Sequence, residues 1–223
     1  MLKKILDIQK NDAALHLKKL GFSDGSKALQ NLLLLRETPL KAHLEEFVNL
    51  LLTAPSPDNA LNNIERIGAQ LSPEIINSFI KNKEKLQHLI FICGSSNLLA
   101  NTIINNPIYI EQLLLEGGLE RKKDLSVFLK ELLAWVHDLH DFSSIAKALR
   151  LFKQREYLRI GARDILGLAS MQETTEELSG LASASLEIAY WFCLAQLKAE
   201  YGTPLYIDLD GSEKESEFVI IGM

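Results

Sequence analysis

The stretch His137-Asp138-Leu139-His140 carries side chains that could bind a metal ion. On a helix, His137 and His140 would lie three residues apart on one face, with the carboxylates of Asp138 and Asp141 close by. Imidazole and carboxylate groups are common ligands of transition metals. The stretch therefore has to be weighed as a candidate metal site.

Further ligands for such a metal are hard to find. A metal phosphohydrolase of the all-helical His-Asp type needs another His upstream and an Asp downstream, which His88 and Asp164 would have to supply. Nothing in the sequence around these two supports that role. Polar residues at a helix C-terminus, where His also suits the helix dipole, are commonplace. We predict no metal ligands in this chain and keep the phosphohydrolase as a minor alternative.

Asp208-Leu209-Asp210 is a second candidate for metal chemistry. In a strand, side chains two residues apart point to the same face, and a pair of carboxylates placed in this way can hold Mg²⁺ for phosphoryl or nucleotidyl transfer. The competing interpretation is a turn, because Asp210-Gly211-Ser212 is typical turn chemistry. A glycine-rich phosphate loop does not precede this stretch in the sequence, which favours the turn.

Arg155, Arg159 and Arg163 are spaced four residues apart and would form one stripe along a helix. Such a stripe could face phosphate or another anionic substrate. The more common alternative is that the arginines pair with acidic residues of a neighbouring helix or stay in water, where each exposed pair contributes about 0 to 1 kcal/mol. We take these three residues as the candidate phosphate- or substrate-facing site.

The composition limits the classes of partner and compartment. The chain has 223 residues, 47% hydrophobic and 24% charged, with a formal net charge of -5. A mildly acidic protein lacks the surplus of Lys and Arg that a nucleic acid or an anionic membrane surface would need, so we expect neither as a partner. Cys93 and Cys193 both lie in apolar contexts and are predicted to be buried thiols of a cytoplasmic protein.

The elements that must position these residues are helices. Apolar residues recur three and four apart along nearly the whole chain, and Ser56-Pro57 and Ser72-Pro73 each combine an N-cap with a proline suited to a first helical turn. The fold class predicted is mainly α, a multi-helix bundle. Helices are expected over residues 12–20, 24–36, 83–93, 96–105, 107–116, 125–140, 143–167 and 174–201, with further starts at Pro39, Ser56 and Ser72.

The last two helices and the C-terminus carry more specific predictions. Thr174 and Glu177 have capping-box spacing, and Gly161 within a helix indicates a closely packed neighbour. The β-branched run Phe218–Ile221 predicts a strand with no sheet to join. The aromatic residues of apolar helix faces are predicted to lie in the core, namely Trp135, Tyr190, Trp191 and Phe192. We divide the chain into a helical N-terminal region, 1–142, and long helices that lead into a second domain, 143–223.

Residues 152–167 have the sequence FKQREYLRIGARDILG, followed by Glu173-Thr174-Thr175-Glu176-Glu177-Leu178-Ser179. This block strongly resembles the N-terminal half of the glutamine synthetase adenylyltransferase family, which has the pattern Arg-Ile-Gly-x-Arg-Asp at this point. Weaker matches extend upstream through residues 98–114 and 58–66. The resemblance covers about residues 57–223, and the first forty residues are less diagnostic.

The resemblance implies the front of an enzyme that attaches AMP from ATP to glutamine synthetase and removes it by phosphorolysis. In the family, a strand like Phe218–Ile221 begins a polymerase-beta-like nucleotidyltransferase sheet, and an Asp-x-Asp pair that binds Mg²⁺ follows. The resemblance thus puts the catalytic motif after Met223 and Asp208–Asp210 in a variable loop. ATP, Mg²⁺, glutamine synthetase and the PII signal protein are implied for the whole enzyme, with this portion inactive alone. The alternative is a stand-alone helical interaction module.

Overall fold

The computed structural model describes residues 10–220. The fold is mainly α, with a two-stranded antiparallel sheet near the C-terminus, as predicted. The α-helices are α1 (Lys10–Leu20), α2 (Gly25–Leu35), α3 (Leu44–Leu51), α4 (Pro57–Gly68), α5 (Pro73–Lys81), α6 (Lys83–Ser95), α7 (Asn97–Asn105), α8 (Leu125–Val136), α9 (Phe142–Ile165) and α10 (Met171–Tyr201). A 3₁₀ turn (Pro39–His43) precedes α3, and a π-helical segment (Ile110–Leu115) lies between α7 and α8.

The predicted cap-and-proline starts are confirmed. The side chain of Ser56 accepts a hydrogen bond from the backbone N–H of Asn59 at the start of α4, and that of Ser72 accepts one from Ile75 at the start of α5. In each helix the residue after the cap is a proline, whose missing N–H would have had no partner there. Short polar side chains and prolines therefore fix where these helices begin.

The predicted capping box of α10 is wrong by one turn. Ser170 is the N-cap: its hydroxyl accepts from the backbone N–H of Glu173 at 3.2 Å, and the Glu173 carboxylate accepts from the Ser170 N–H at 2.9 Å. Thr174 instead donates its hydroxyl to Asp164 at 3.1 Å. Glu177 cannot serve as a capping residue because its side chain is fully buried and holds arginines of α9.

Two hydrophobic cores meet at helix α9. The first core is built mainly from α1–α7 and the π-helical segment, and α9 adds Leu158 and Ala162 to it. The second core lies between α8, α9 and α10, where α9 contributes Phe152 and Ile160. Helix α8 thus packs with the two long helices, although it precedes the predicted division between 1–142 and 143–223, which stays a prediction.

Gly161 on α9 has the close neighbour that its position in a helix predicted. A Cβ atom at this residue would lie 3.1 Å from Cδ1 of Leu99 on α7. The two helices approach at this point because no side chain separates them. The glycine therefore lets α9 pack tightly onto the first core.

The C-terminal strand prediction is wrong in position. Strands β1 (Leu205–Ile207) and β2 (Glu213–Glu215) pair in an antiparallel hairpin on either side of Asp208–Asp210, the stretch expected to be a loop. Phe218, Val219 and Ile220 have no strand conformation, and Ile221 lies outside the described residues. The hairpin forms because Asp208–Ser212 makes a turn that brings the two short strands side by side.

The two cysteines differ in exposure, contrary to the prediction. Cys93 is buried in the first core, where desolvation raises the pKa of its thiol to about 12. Cys193 is exposed on α10. Trp135 and Trp191, also predicted to be core, are exposed. Trp191 is exposed because α10 has no buried residue after Ile188. The second half of this apolar helix lacks a covering layer among the described residues.

Candidate functional site: a buried ion-pair network

The residues considered as metal ligands do not converge. Helix α8 ends at Val136, so His137 and His140 do not share a helical face as expected. The imidazole of His137 pairs with its neighbour Asp138, with Nδ1 and Oδ1 2.7 Å apart. The Asp141 carboxylate accepts from the Ser144 N–H and caps α9. Within residues 10–220, no group of three or more His, Cys, Asp or Glu side chains could hold a metal ion. The geometry gives the phosphohydrolase hypothesis no support.

Asp208 and Asp210 lie in the hairpin turn, which confirms the turn interpretation. The Asp210 carboxylate accepts from the N–H and the hydroxyl of Ser212, at 2.9 and 2.6 Å. The Asp208 carboxylate pairs with the ammonium of Lys214. These hydrogen bonds lower the pKa of both carboxyl groups and tie them to the turn.

The three candidate arginines lie on α9 and point toward carboxylates. Arg159 is 1% exposed, and its guanidinium donates to Glu156 from Nε at 2.6 Å and to Glu177 of α10 from Nη2 at 2.5 Å. Arg163 faces the other oxygen of Glu177, with Nε 3.3 Å from Oε2. Nη1 of Arg155 lies 3.7 Å from Oε2 of Glu131 on α8. Pairing with an acidic residue of a neighbouring helix, the alternative interpretation, therefore describes all three arginines.

The loop between the π-helical segment and α8 is bound to the same arginines. Arg159 donates from Nη1 to the carbonyl of Arg121 at 3.0 Å, and Arg163 donates to the carbonyl of Leu119. The backbone N–H of Lys123 donates to Glu177 at 2.9 Å. Side chains of α9 and α10 therefore fix the path of this loop.

Lys123 and Arg155 extend the network toward the surface. The Lys123 ammonium lies 2.6 Å from Glu131 of α8 and 3.0 Å from Glu156. Arg155 contacts Glu156 at 3.1 Å and keeps 20% of its side chain exposed. The network thus joins α8, α9, α10 and the loop. Its members are Lys123, Glu131, Arg155, Glu156, Arg159, Arg163 and Glu177.

Such an arrangement holds structure in place. Burying a charge is costly unless it is paired and hydrogen-bonded, and each fully buried carboxylate here has at least two cationic or N–H partners. The geometry fixes the angle between α9 and α10 because charged groups tolerate little displacement at low dielectric. The phosphate-facing role of Arg155, Arg159 and Arg163 stays a prediction. Of the three, Arg155 would need the least rearrangement to reach an anion.

The network includes acidic residues that the sequence patterns did not single out. Glu156 and Arg159 have the i, i+3 spacing of a helical ion pair, a signal that was available. Glu177 carried a competing signal, because the capping-box spacing with Thr174 suggested a surface position. Lys123 and Glu131 lie in different elements, and no sequence spacing predicts their contact.

Comparison with known proteins gives a family match that includes the residues of the network. The sequence model of glutamate-ammonia ligase adenylyltransferase matches residues 86–223, more than half of the chain. The chain belongs to this family. The match confirms the resemblance carried by residues 152–179 and includes all members of the network. Residues 58–66, which supported the resemblance, precede the matched range.

Two adenylyltransferase relatives show how much of such a protein the chain represents. It is 28% identical to the bifunctional glutamine synthetase adenylyltransferase/adenylyl-removing enzyme of Thioalkalivibrio sulfidiphilus, over 92% of this chain and 23% of the relative. It is 29% identical to the enzyme of the same name from Pasteurella multocida, over 64% of this chain and 14% of the relative. The chain therefore spans less than a quarter of the length of either relative.

Proposed function

We propose that this chain is the helical front segment of a cytoplasmic enzyme that adds AMP to glutamine synthetase and removes it by phosphorolysis. The family match over residues 86–223 carries the proposal, and both relatives are bifunctional adenylyltransferase/adenylyl-removing enzymes by name. Glutamine synthetase is then the substrate protein, and the PII signal protein is the proposed regulator of the whole enzyme.

The proposed reaction requires Mg²⁺ and ATP, and residues 10–220 do not fit a magnesium site. Asp208 is paired with Lys214, and Asp210 is held by Ser212 in a turn. Within residues 10–220 the carboxylates otherwise form no cluster with three ligating side chains. We therefore assign no step of AMP transfer to this chain and expect it to be inactive alone.

The role that we propose for the segment is to support the catalytic part. The ion-pair network fixes α9 against α10, and α10 leads into the hairpin at the C-terminus. A rigid pair of helices can hold an attached domain in one orientation, because its charged contacts do not slide. This role agrees with a chain that matches the family and whose described carboxylates form no metal-binding cluster.

An AMP-transfer assay tests the proposal. The chain alone is incubated with glutamine synthetase, labelled ATP and Mg²⁺, and separately with adenylylated glutamine synthetase and phosphate. We expect neither AMP incorporation nor AMP release. A full-length chimera, in which these 223 residues replace their aligned counterpart in the Thioalkalivibrio sulfidiphilus relative, should catalyse both reactions. Robust activity of the chain alone, or an inactive but folded chimera, would contradict the proposal.

A further inference from the structure

Helix α10 is apolar on two opposite faces. Its inner face contains Leu181, Ala184 and Ile188, which are buried in the second core. The outer face repeats apolar residues at spacings of four, three and four, which places them in one row on the far side of the helix. We call this row the outer stripe, and it consists of Leu186, Tyr190, Cys193 and Leu197.

The outer stripe is largely uncovered among the described residues, where Tyr190 is its one half-buried member. Leu186 is 47% exposed and Leu197 is 54% exposed. A helix that is apolar all round is normally buried on all sides, whereas a helix at a protein surface keeps one polar face. The outer stripe therefore has the composition of a second packing face.

The C-terminal segment forms one wall of a groove along this stripe. Phe218 and Ile220 lie beside Leu186 and Tyr190, and together they outline an open groove of about 670 Å³. Phe218 is itself 77% exposed. Apolar side chains from two elements thus line the same open space, and a partner that enters it would contact both.

The charges of α10 favour a protein over a lipid bilayer as the occupant. The helix is long and apolar enough to span a membrane by length and composition. However, Glu177 near its start is fully buried against Arg159 and Arg163, and Glu187 lies in the groove with the hydroxyls of Ser179 and Ser183. Moving this helix into a bilayer would separate the ion pairs and desolvate Glu187, both of which are costly.

We propose that the outer stripe and the groove are the docking face for the part of the adenylyltransferase that has no counterpart in these 223 residues. The family match runs to residue 223 and so includes both walls of the groove, while about three quarters of the Thioalkalivibrio sulfidiphilus relative lies outside the aligned region. This inference rests on the proposed function and names the residues that make the contact.

Cys193 provides a direct measurement of this contact. Its thiol is exposed on the outer stripe, whereas Cys93 is buried and its raised pKa makes it unreactive. Alkylation of each cysteine is followed by peptide mass spectrometry in the chain alone and in the full-length chimera. We expect Cys193 to react at least about tenfold more slowly in the chimera and Cys93 to stay unreacted in both. Equal rates of Cys193 alkylation in the two proteins would overturn the proposal that this face is a docking face.

A matched pair of substitutions tests whether covering the outer stripe stabilises the full-length protein. Leu197→Lys is compared with Leu15→Lys, because both leucines are on helices and both are 54% exposed. Leu197→Lys should leave the melting temperature of the chain alone unchanged and lower that of the chimera, where the side chain is covered. Leu15→Lys should change neither. The proposal fails if Leu197→Lys leaves the chimera as stable as the unsubstituted protein.

The same samples test two other occupants of the groove, a second copy of this chain and a lipid bilayer. Sedimentation velocity of the chain alone should show a monomer, and flotation with phosphatidylcholine–phosphatidylglycerol vesicles should leave it unbound. A dimer or vesicle binding that protects Cys193 would overturn the proposal in favour of a second copy or a membrane. Activity and docking are distinguishable, because a chimera with protected Cys193 and no AMP transfer contradicts only the proposed function. An active chimera with unprotected Cys193 contradicts only the docking face.

Discussion

At the scale of single residues, Glu177 is the carboxylate that ties α10 to both the loop and α9. It accepts from the backbone of Lys123 and the guanidinium of Arg159, and it faces Arg163. All of its contacts lie where water is excluded, so none can be replaced by hydration. The carboxylate therefore keeps the Lys123 N–H and the Arg159 guanidinium hydrogen-bonded, and it offsets the charge of Arg163 from 3.3 Å.

Replacing Glu177 by glutamine should destabilise the protein strongly. The change removes the negative charge and leaves two buried guanidinium groups without full compensation, which costs about 3 to 5 kcal/mol. Urea unfolding followed by circular dichroism measures the free energy of unfolding. Glu176→Gln is the control, because this neighbouring carboxylate is exposed and pairs only with Lys122 and Gln172. Similar losses for the two variants would refute the central role of Glu177.

Asp58 should make stability depend on pH in the acid range. Burial raises the pKa of its carboxyl, but hydrogen bonds from Ser23 and the Asp24 N–H outweigh this effect and lower it below the usual 3.8. A lowered pKa in the folded state gives stability that is fully present above the pKa of the unfolded chain and is lost as pH falls through the folded value. The free energy of unfolding of the wild type should therefore exceed that of Asp58→Asn at neutral pH, and this difference should shrink below about pH 4. A constant difference between pH 7 and pH 3, measured by chemical unfolding, would contradict this account.

At the scale of secondary-structure elements, the packing of α9 onto α7 depends on Gly161. Leucine at this position would place its Cβ 3.1 Å from Cδ1 of Leu99, a residue of the first core, and would add its larger branches beyond that atom. Overpacking of this kind costs about 1 to 3 kcal/mol. Gly161→Leu should lower the melting temperature, whereas Gly161→Ala should change it less, because its gain in helix propensity offsets a smaller clash. An unchanged melting temperature for Gly161→Leu would show that the helices do not pack closely here.

Two alanine substitutions can test which residue is the N-cap of α10. Ser170→Ala removes the hydroxyl that accepts from the Glu173 N–H and should cost about 1 kcal/mol. Thr174→Ala removes only a hydroxyl that donates to Asp164. The free energy of unfolding should therefore fall more for Ser170→Ala. The reverse order would support the capping box at Thr174 and Glu177 that the sequence suggested.

These elements show which features a sequence can predict. Caps such as Ser56 and Ser72 act through backbone groups within one turn, so local residues suffice to locate them. Gly161 was informative because an unfavourable residue in a helix needs a packing reason. The contacts of Lys123 with Glu131 and of Glu177 with Arg163 join residues that are brought together only by the tertiary fold. Local spacing cannot predict them.

At the scale of the whole molecule, exposure was the least predictable property. Cys193 and Trp191 lie in an apolar sequence, and apolar sequence normally indicates burial. Cys193 is exposed because the outer stripe is largely uncovered within the described residues, and Trp191 is exposed because it lies beyond Ile188, the last buried residue of α10. An apolar sequence therefore indicates burial only where another element packs against the helix.

Helix α9 has a consequence for how the protein unfolds. Because it contributes Leu158 to one core and Phe152 to the other, neither core can lose this helix without exposing apolar surface in both. Melting of the two halves is then coupled, and calorimetry should show a single heat-absorption peak whose van't Hoff and calorimetric enthalpies agree. Two resolved peaks would contradict this coupling. A ligand that tightens either end of the molecule would, through this one helix, slow amide hydrogen exchange at the other.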